Sequence, residues 1–217
     1  MEQSTVTSNR TDSRFILLAV LVALLSAAAG FSLWQLRHEG PPEMTASLRI
    51  LPEPRVLADF DLVDQDGAQF TLQQLQGKWS LLFFGFTHCP DVCPSALYDL
   101  HQVNQAVTDS DADEASYQFI FVSVDPERDS PQRLRDYVAY FDPEFRAATG
   151  SPEQLAALAR QIGVAYRIEP HEPGSERYLV DHSASIMLTD PEGRLHGVFP
   201  APHDAGHIAQ DLAAILD

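Results

Sequence analysis

The chain has 217 residues, 45% hydrophobic and 21% charged, enough for one ordinary domain and too apolar for a disordered polypeptide. Asp and Glu number 31 against 14 Lys and Arg, a net charge of −17, and Lys78 is the one lysine; a nucleic-acid surface, which needs clustered bases, is excluded. Two cysteines exclude a disulfide-dense scaffold and a four-thiolate zinc or iron–sulfur centre within one chain.

In chain order, the first fourteen residues are polar and carry Arg10 and Arg14. Phe15 to Trp34 is a twenty-residue stretch without a charge, and Arg37 marks its exit. A helix of that length spans about 30 Å, the thickness of a bilayer core. The reading is a cytoplasmic N-terminus over 1–14, a single transmembrane anchor over 15–36, and a domain outside the cytoplasm, on the periplasmic side of an inner membrane or its equivalent. The rival is a cleaved signal peptide, since Ala27-Ala28-Ala29 satisfies a small-x-small pattern. Residues 37–53, with Pro41, Pro42 and Pro52, read as a Pro-rich extended tether. The domain is assigned to 54–217.

Within that domain, residues 56–63 alternate loosely and lead to a hairpin at Asp66-Gly67, with Phe70-Thr-Leu as partner strand. Trp79 to Phe86 is a continuous apolar run, as for a strand buried on both faces. A helix is predicted from about Ser95 to Val107, then a solvated acidic loop over 109–114. Tyr117 to Val124 is a second buried strand. Ser130-Pro131 and Ser151-Pro152 each open a helix with a serine cap and proline at the first position. Residues 164–168 and 177–181 read as a strand pair around the turn 170–174. Ser185–Thr189 and Leu195–Phe199 form a hairpin, and Asp204 caps a closing helix. The pattern predicts an α/β domain around one mixed sheet. No glycine-rich phosphate loop, G-x-S-x-G elbow or H-E-x-x-H motif is present.

Both cysteines fall in the loop between the first buried strand and the next helix, as Cys89-x-x-x-Cys93. Residues i and i+4 of a helical turn face the same way, so the pair can close a disulfide or grip one metal ion. A helix N-terminus lowers thiol pKa values and makes better ligands and nucleophiles. A structural disulfide over so short a loop would stabilise little. Soft sulfur ligands select Cu(I), and an added imidazole serves Cu(II) as well. Eight histidines compete to be that third ligand. His88 adjoins Cys89 and cannot readily converge with it. His203 and His207 have i, i+4 spacing on a helix without a third group nearby. His182 lies in Val180-Asp-His-Ser-Ala184 just before a strand, and spacing alone leaves it open whether it meets the cysteines.

Gly85-Phe-Thr-His-Cys-Pro-Asp-Val-Cys-Pro94 resembles the signature of the Sco (SenC) family of copper chaperones. Val124-Asp-Pro-Glu-Arg-Asp-Ser-Pro131 is similar to that family's second motif, and Val180-Asp-His-Ser-Ala184 with Asp190-Pro-Glu-Gly193 to its third. The resemblance implies a thioredoxin-like fold, with the hairpin at Asp66-Gly67 as an N-terminal addition. It implies copper, Cu(I) or Cu(II), on Cys89, Cys93 and His182. It also implies a metallochaperone rather than an enzyme, fed by an upstream donor and delivering copper to the binuclear site of cytochrome c oxidase subunit II or to another acceptor. The alternative is a thiol–disulfide reductase in which Cys89 and Cys93 are the redox pair. Asp91, Asp125, Arg128 and Asp129 are expected as supporting residues around the site. Nothing in the sequence demands burial against a second chain, so a monomer is expected.

Overall fold

Seven consecutive residues, Tyr117–Ser123, are all buried and form strand β5; Trp79–Gly85, apolar but for Ser80, form β4 beside it in parallel. Strands that read as continuous apolar runs need cover on both faces, and here they are the centre of the sheet. The structure is a computed structural model and describes residues 10–37, 45, 47–109 and 116–216.

The chain divides into two units, residues 1–41 and 42–217. In the first, Arg10–Arg37 is one helix, α1. Its side chains are described over 15–30, and all of these are exposed. Among the described residues no helix is long and apolar enough to cross a membrane. Residues 1–9 of the expected cytoplasmic segment, and 38–44 and 46 of the expected tether, lie outside the described residues.

In the second unit the strands are β1 (Arg49–Arg55), β2 (Leu62–Asp64), β3 (Gln69–Phe70), β4, β5, β6 (Arg146–Thr149), β7 (Tyr166–Ile168), β8 (Val180–His182), β9 (Ile186–Thr189) and β10 (Leu195–Phe199). The helices are α2 (Val92–Thr108), α3 (Pro131–Phe141), α4 (Pro152–Ile162) and α5 (Ala205–Leu216). The main sheet runs β1-β10-β9-β4-β5-β6-β2-β3, and β7 and β8 form a separate antiparallel pair. Strands β4, β5 and β6 are parallel; the β9 and β10 neighbours are antiparallel. Helix α2 packs on α5, and α3 lies over β6. The expected α/β sandwich with an N-terminal hairpin is present, β2 and β3 turning at Gly67 with φ 80°.

Three sequence-based expectations need correction. The last five residues of the expected tether, 49–53, belong to β1 and pair with β10. An edge strand tolerates Pro52 and Pro54 because its outer N–H positions have no ladder to serve, and the register shifts between Ile50 and Arg55. Residues 56–61 are not a strand. Their backbone donors go instead to α4: Ala58 N donates to Gln161 Oε1 at 2.6 Å and Asp61 N to Gln154 Oε1 at 3.2 Å. Strand β6 carries no sequence signal, because Arg-Ala-Ala-Thr has poor strand propensity; pairing with β5 imposes it. The cap predictions are realised. Ser130 Oγ accepts from Arg133 N, and Ser151 Oγ from Gln154 N, both at 3.3 Å. The acidic loop lies mostly outside the described residues.

Candidate metal centre

The cysteine loop leaves the carboxyl end of β4, where open α/β sheets place their sites. Helix α2 begins at Val92, three residues earlier than the sequence predicts, so Cys93 lies in its first turn. Asp91 is the N-cap but makes no side-chain capping bond. Cys89 takes that duty: Cys93 N donates to Cys89 Sγ at 3.4 Å, and Cys89 N donates to Phe86 O at 3.2 Å. Cys89 is half-buried, Cys93 fully buried, and the two are not bridged.

Helix donors and a neighbouring thiol act on Cys89 together. The Cys93 S–H bond to it, opposed by burial and helped by the backbone donors of Asp91 and Cys93, lowers its pKa from 9.0 to about 4. Cys93 is pushed far above 9.0 by the same thiol contact and by burial. The pair therefore releases its first proton easily and its second with difficulty. A soft cation in place of the second proton relieves that difficulty, which couples metal binding to proton release.

The third member comes from the distant hairpin. His182 ends β8, and its Nε2 lies 3.3 Å from Cys93 Sγ. Its Nδ1 lies 3.1 Å from Ser183 O, which can only accept. That contact puts the ring proton on Nδ1 and leaves the Nε2 lone pair facing the thiols. Phe83 and Phe86 hold the ring edge-on at centroid distances of 6.0 and 5.9 Å. The ligand atoms of Cys89, Cys93 and His182 all lie within 4.8 Å of one another. A trigonal ion with thiolate bonds of about 2.3 Å puts its ligand atoms about 4 Å apart, so the cluster fits one soft cation with little movement. Among the described residues no other group of three Cys, His, Asp or Glu side chains meets this spacing. An open recess of about 370 Å³ is bordered by Tyr166, Arg167, Asp181 and His182.

The other described histidines go elsewhere. His88 turns away to Arg133, 3.0 Å from its Nη1. His101 pairs with Asp142 at 2.9 Å, His171 with Glu127 at 3.0 Å, and His196 lies edge-on to Trp79. His203 and His207 do not converge on a ligand position. His207 is exposed beside Asp204; His203 is half-buried edge-on to Phe83, where burial lowers its pKa against the pull of Asp99. His38 lies outside the described residues.

The four expected supporting residues do not act together. Asp129 is fully buried and serves the cysteine loop, accepting from Thr87 N at 2.9 Å, Thr87 Oγ1 at 2.6 Å and Ser123 Oγ at 2.5 Å. Asp125 and Arg128 bond to the segment between β7 and β8, Asp125 accepting from Tyr178 Oη and Arg128 donating to Glu176 O, and the two bond to each other. Asp91 is exposed. Sequence reasoning missed Phe83 and Tyr178, which line or brace the site but sit in unremarkable surroundings. Gly85 opens the cysteine motif, and its role there is steric. A Cβ there would lie 2.5 Å from Cys93 Sγ and 2.9 Å from Phe121 Cε2, so only glycine lets the strand pass the buried thiol.

A thioredoxin-like α/β domain that gathers two thiols and one imidazole at the end of a central parallel strand defines a class: dithiol proteins equipped to hold a soft metal ion. Within that class, a family model described as SCO1/SenC matches residues 50–217, and the chain belongs to the SCO1/SenC family. A protein of Stutzerimonas stutzeri named as copper-binding is 34% identical over 175 residues, which are 79% of this chain and 82% of that one. The mitochondrial "Protein SCO1 homolog 1" of Arabidopsis thaliana is 39% identical over 153 residues, 70% of this chain and 45% of that longer one. The crystal structure of Arabidopsis thaliana ScoI with copper bound superposes with a TM-score of 0.66 at 36% identity, covering 73% of this chain and 96% of that one.

Proposed function

We propose that this protein binds one copper ion on Cys89, Cys93 and His182 and hands it to an acceptor in the assembly of cytochrome c oxidase, the binuclear site of subunit II being the expected destination. The observation that carries the reading is the convergence of two thiols and a tautomer-fixed imidazole within 4.8 Å. The copper-bound structure of the Arabidopsis relative supports copper as the ion. A site with three ligands leaves room for an incoming ligand, so the acceptor's groups can enter before the donor's leave. Copper here is cargo. The chain's own residues keep one thiol ionised and present the Nε2 lone pair, with Phe83 and Phe86 holding the imidazole edge-on.

Titration of the reduced protein with Cu(I) and with Zn(II) against a competing chelator tests this. One equivalent of copper held far more tightly than zinc, and lost in His182→Ala, is expected. Copper binding by His182→Ala equal to that of the unaltered protein overturns the ligand assignment.

A second reading is favoured by the asymmetry of the thiols. Cys89 is half-exposed with its pKa lowered to about 4, whereas Cys93 is buried and protonated. That is the arrangement of an attacking and a resolving thiol in disulfide exchange. In this reading the pair reduces the acceptor's ligand cysteines. Cys89→Ser is expected to abolish reduction of a disulfide acceptor, and reduction at full rate by that variant excludes the exchange role.

For location, the proposal is a single-pass anchor with the domain on the periplasmic side. Helix α1 contains the whole uncharged stretch from Phe15 to Trp34. The full chain should sediment with membranes and resist alkaline extraction, whereas residues 42–217 should remain in the supernatant.

A further inference from the structure

The histidine and the cysteines belong to different parts of the fold. Cys89 and Cys93 are rooted between β4 and α2 of the main sheet, whereas His182 closes a two-stranded hairpin outside it. Convergence of the three ligand atoms therefore depends on how that hairpin is fastened. One side chain touches both halves. Arg128, in the loop after β5, donates from Nε to Asp125 Oδ2 at 2.5 Å. Its Nη1 donates to the carbonyls of Glu176 and Tyr178, at 3.1 and 3.0 Å, at the start of the segment that ends in His182. Its guanidinium lies 3.6 Å from the ring centroid of Tyr178, on the histidine side, and 5.4 Å from that of Phe86, on the cysteine side.

The contacts continue outward from both rings. Phe86 meets the His182 ring edge-on at 5.9 Å, and its carbonyl accepts from Cys89 N. Tyr178 donates its hydroxyl to Asp125 Oδ1 at 2.5 Å and stacks on His171 at 3.6 Å. The Arg128 and Asp125 side chains are 5% and 1% exposed, so these bonds are made out of water, where they are strong and directional. Arg128 Nη2 is buried without a hydrogen-bond partner among the described residues. A guanidinium between two aromatic faces accounts for such an atom, because ring contact replaces the missing acceptor. The further tie from the hairpin to this loop, His171 to Glu127, has a carboxylate 59% exposed and is weak.

We propose that Arg128 is a positioning residue that staples the His182 hairpin to the cysteine loop, and thereby sets whether bound copper has three ligands or two. The role rests on the copper reading above. Arginine suits it because its planar fork serves a carboxylate, two carbonyls and two ring faces at once, which a lysine ammonium cannot do. Release of the staple would free the hairpin to move His182 away while the thiolates keep the ion.

The test uses the full chain as Arg128→Lys and as the double variant Arg128→Met with Asp125→Asn, which leaves no buried unpaired carboxylate. His182→Ala is the reference. The first readout is the electron paramagnetic resonance spectrum of the Cu(II) form, where imidazole coordination gives nitrogen coupling. The second is Cu(I) affinity, and the third is amide exchange in the metal-free protein. Expected are one bound copper, weakened nitrogen coupling, and Cu(I) binding about 10- to 100-fold weaker, the usual effect of removing a residue that orients a ligand. Exchange should quicken over residues 166–182 and stay slow in β4 and β5. Arg128→Lys keeps a charge opposite Asp125 and decides the matter if the double variant does not fold. Arg128→Lys with unaltered coupling, affinity and exchange, beside a His182→Ala that loses copper, overturns the staple alone. Absence of nitrogen coupling in the unaltered protein overturns the copper reading and the staple with it.

Discussion

At the scale of single residues, the site is governed by one unequal pair of thiols. Cys89 ionises near pH 4 in the folded protein, against an ordinary value of 9.0. A depressed acid stabilises the fold above its unfolded pKa, and that contribution is lost as pH falls through the folded value. Cys93 is shifted the opposite way, so its contribution is present below 9.0 and is lost as pH rises above it. The stability of the reduced, metal-free protein should therefore rise from about pH 4 to 9 through this pair. Urea midpoints measured across that range should rise less steeply in Cys89→Ser; an equal rise in both proteins would show that other groups carry the pH dependence. Gly85 gives a second residue-scale prediction. Gly85→Ala places a Cβ against Cys93 Sγ and Phe121, an overpacking worth about 1–3 kcal/mol. Chemical denaturation should show that loss, and Cu(I) affinity should fall as the thiol is displaced.

Elements determine how well those residues are aimed. Helix α2 starts early enough to put Cys93 N–H on Cys89 Sγ, so the sulfur caps the helix and the helix donors stabilise the thiolate. Asp129 fixes the preceding loop by accepting from Thr87 and Ser123. Asp129→Ala leaves those donors short of a buried acceptor, with a loss of about 3 kcal/mol expected by denaturation. Helix α4 provides the contrast. Ser151→Ala removes its cap and should lower stability by about 1 kcal/mol. Its copper affinity should match the unaltered protein, since α4 supplies no ligand and no brace to one; a fall in affinity would show that α4 also orders the site.

For the molecule as a whole, the start of the domain is tied to its end. Asp211 on α5 is fully buried and accepts from Thr45 N, Thr45 Oγ1, Ser47 Oγ and Leu48 N. The tie fixes the segment that precedes β1 and delivers it to the sheet edge. Asp211→Ala should cost about 3 kcal/mol of unfolding free energy, read from urea denaturation, because buried donors lose a charged acceptor. A loss below 1 kcal/mol would mean that β1 pairing alone holds the segment.

Much of this was legible in the residues. Apolar runs announced β4 and β5, serine–proline pairs announced α3 and α4, and the Cys-x-x-x-Cys loop after a buried strand announced the chemistry. Those signals are local, and local sterics and hydrogen bonding act within a few residues of chain. The motif resemblance pointed to His182, but spacing could not say that it meets the cysteines. What only the tertiary structure decided was long-range: β6 by pairing with β5, residues 56–61 by the glutamines of α4, and β1 by the open edge of β10. The approach of His182 to Cys93 belongs with these. It depends on a hairpin whose position is set by Arg128, Tyr178 and Phe86, three side chains brought together by the fold rather than by their order in the chain.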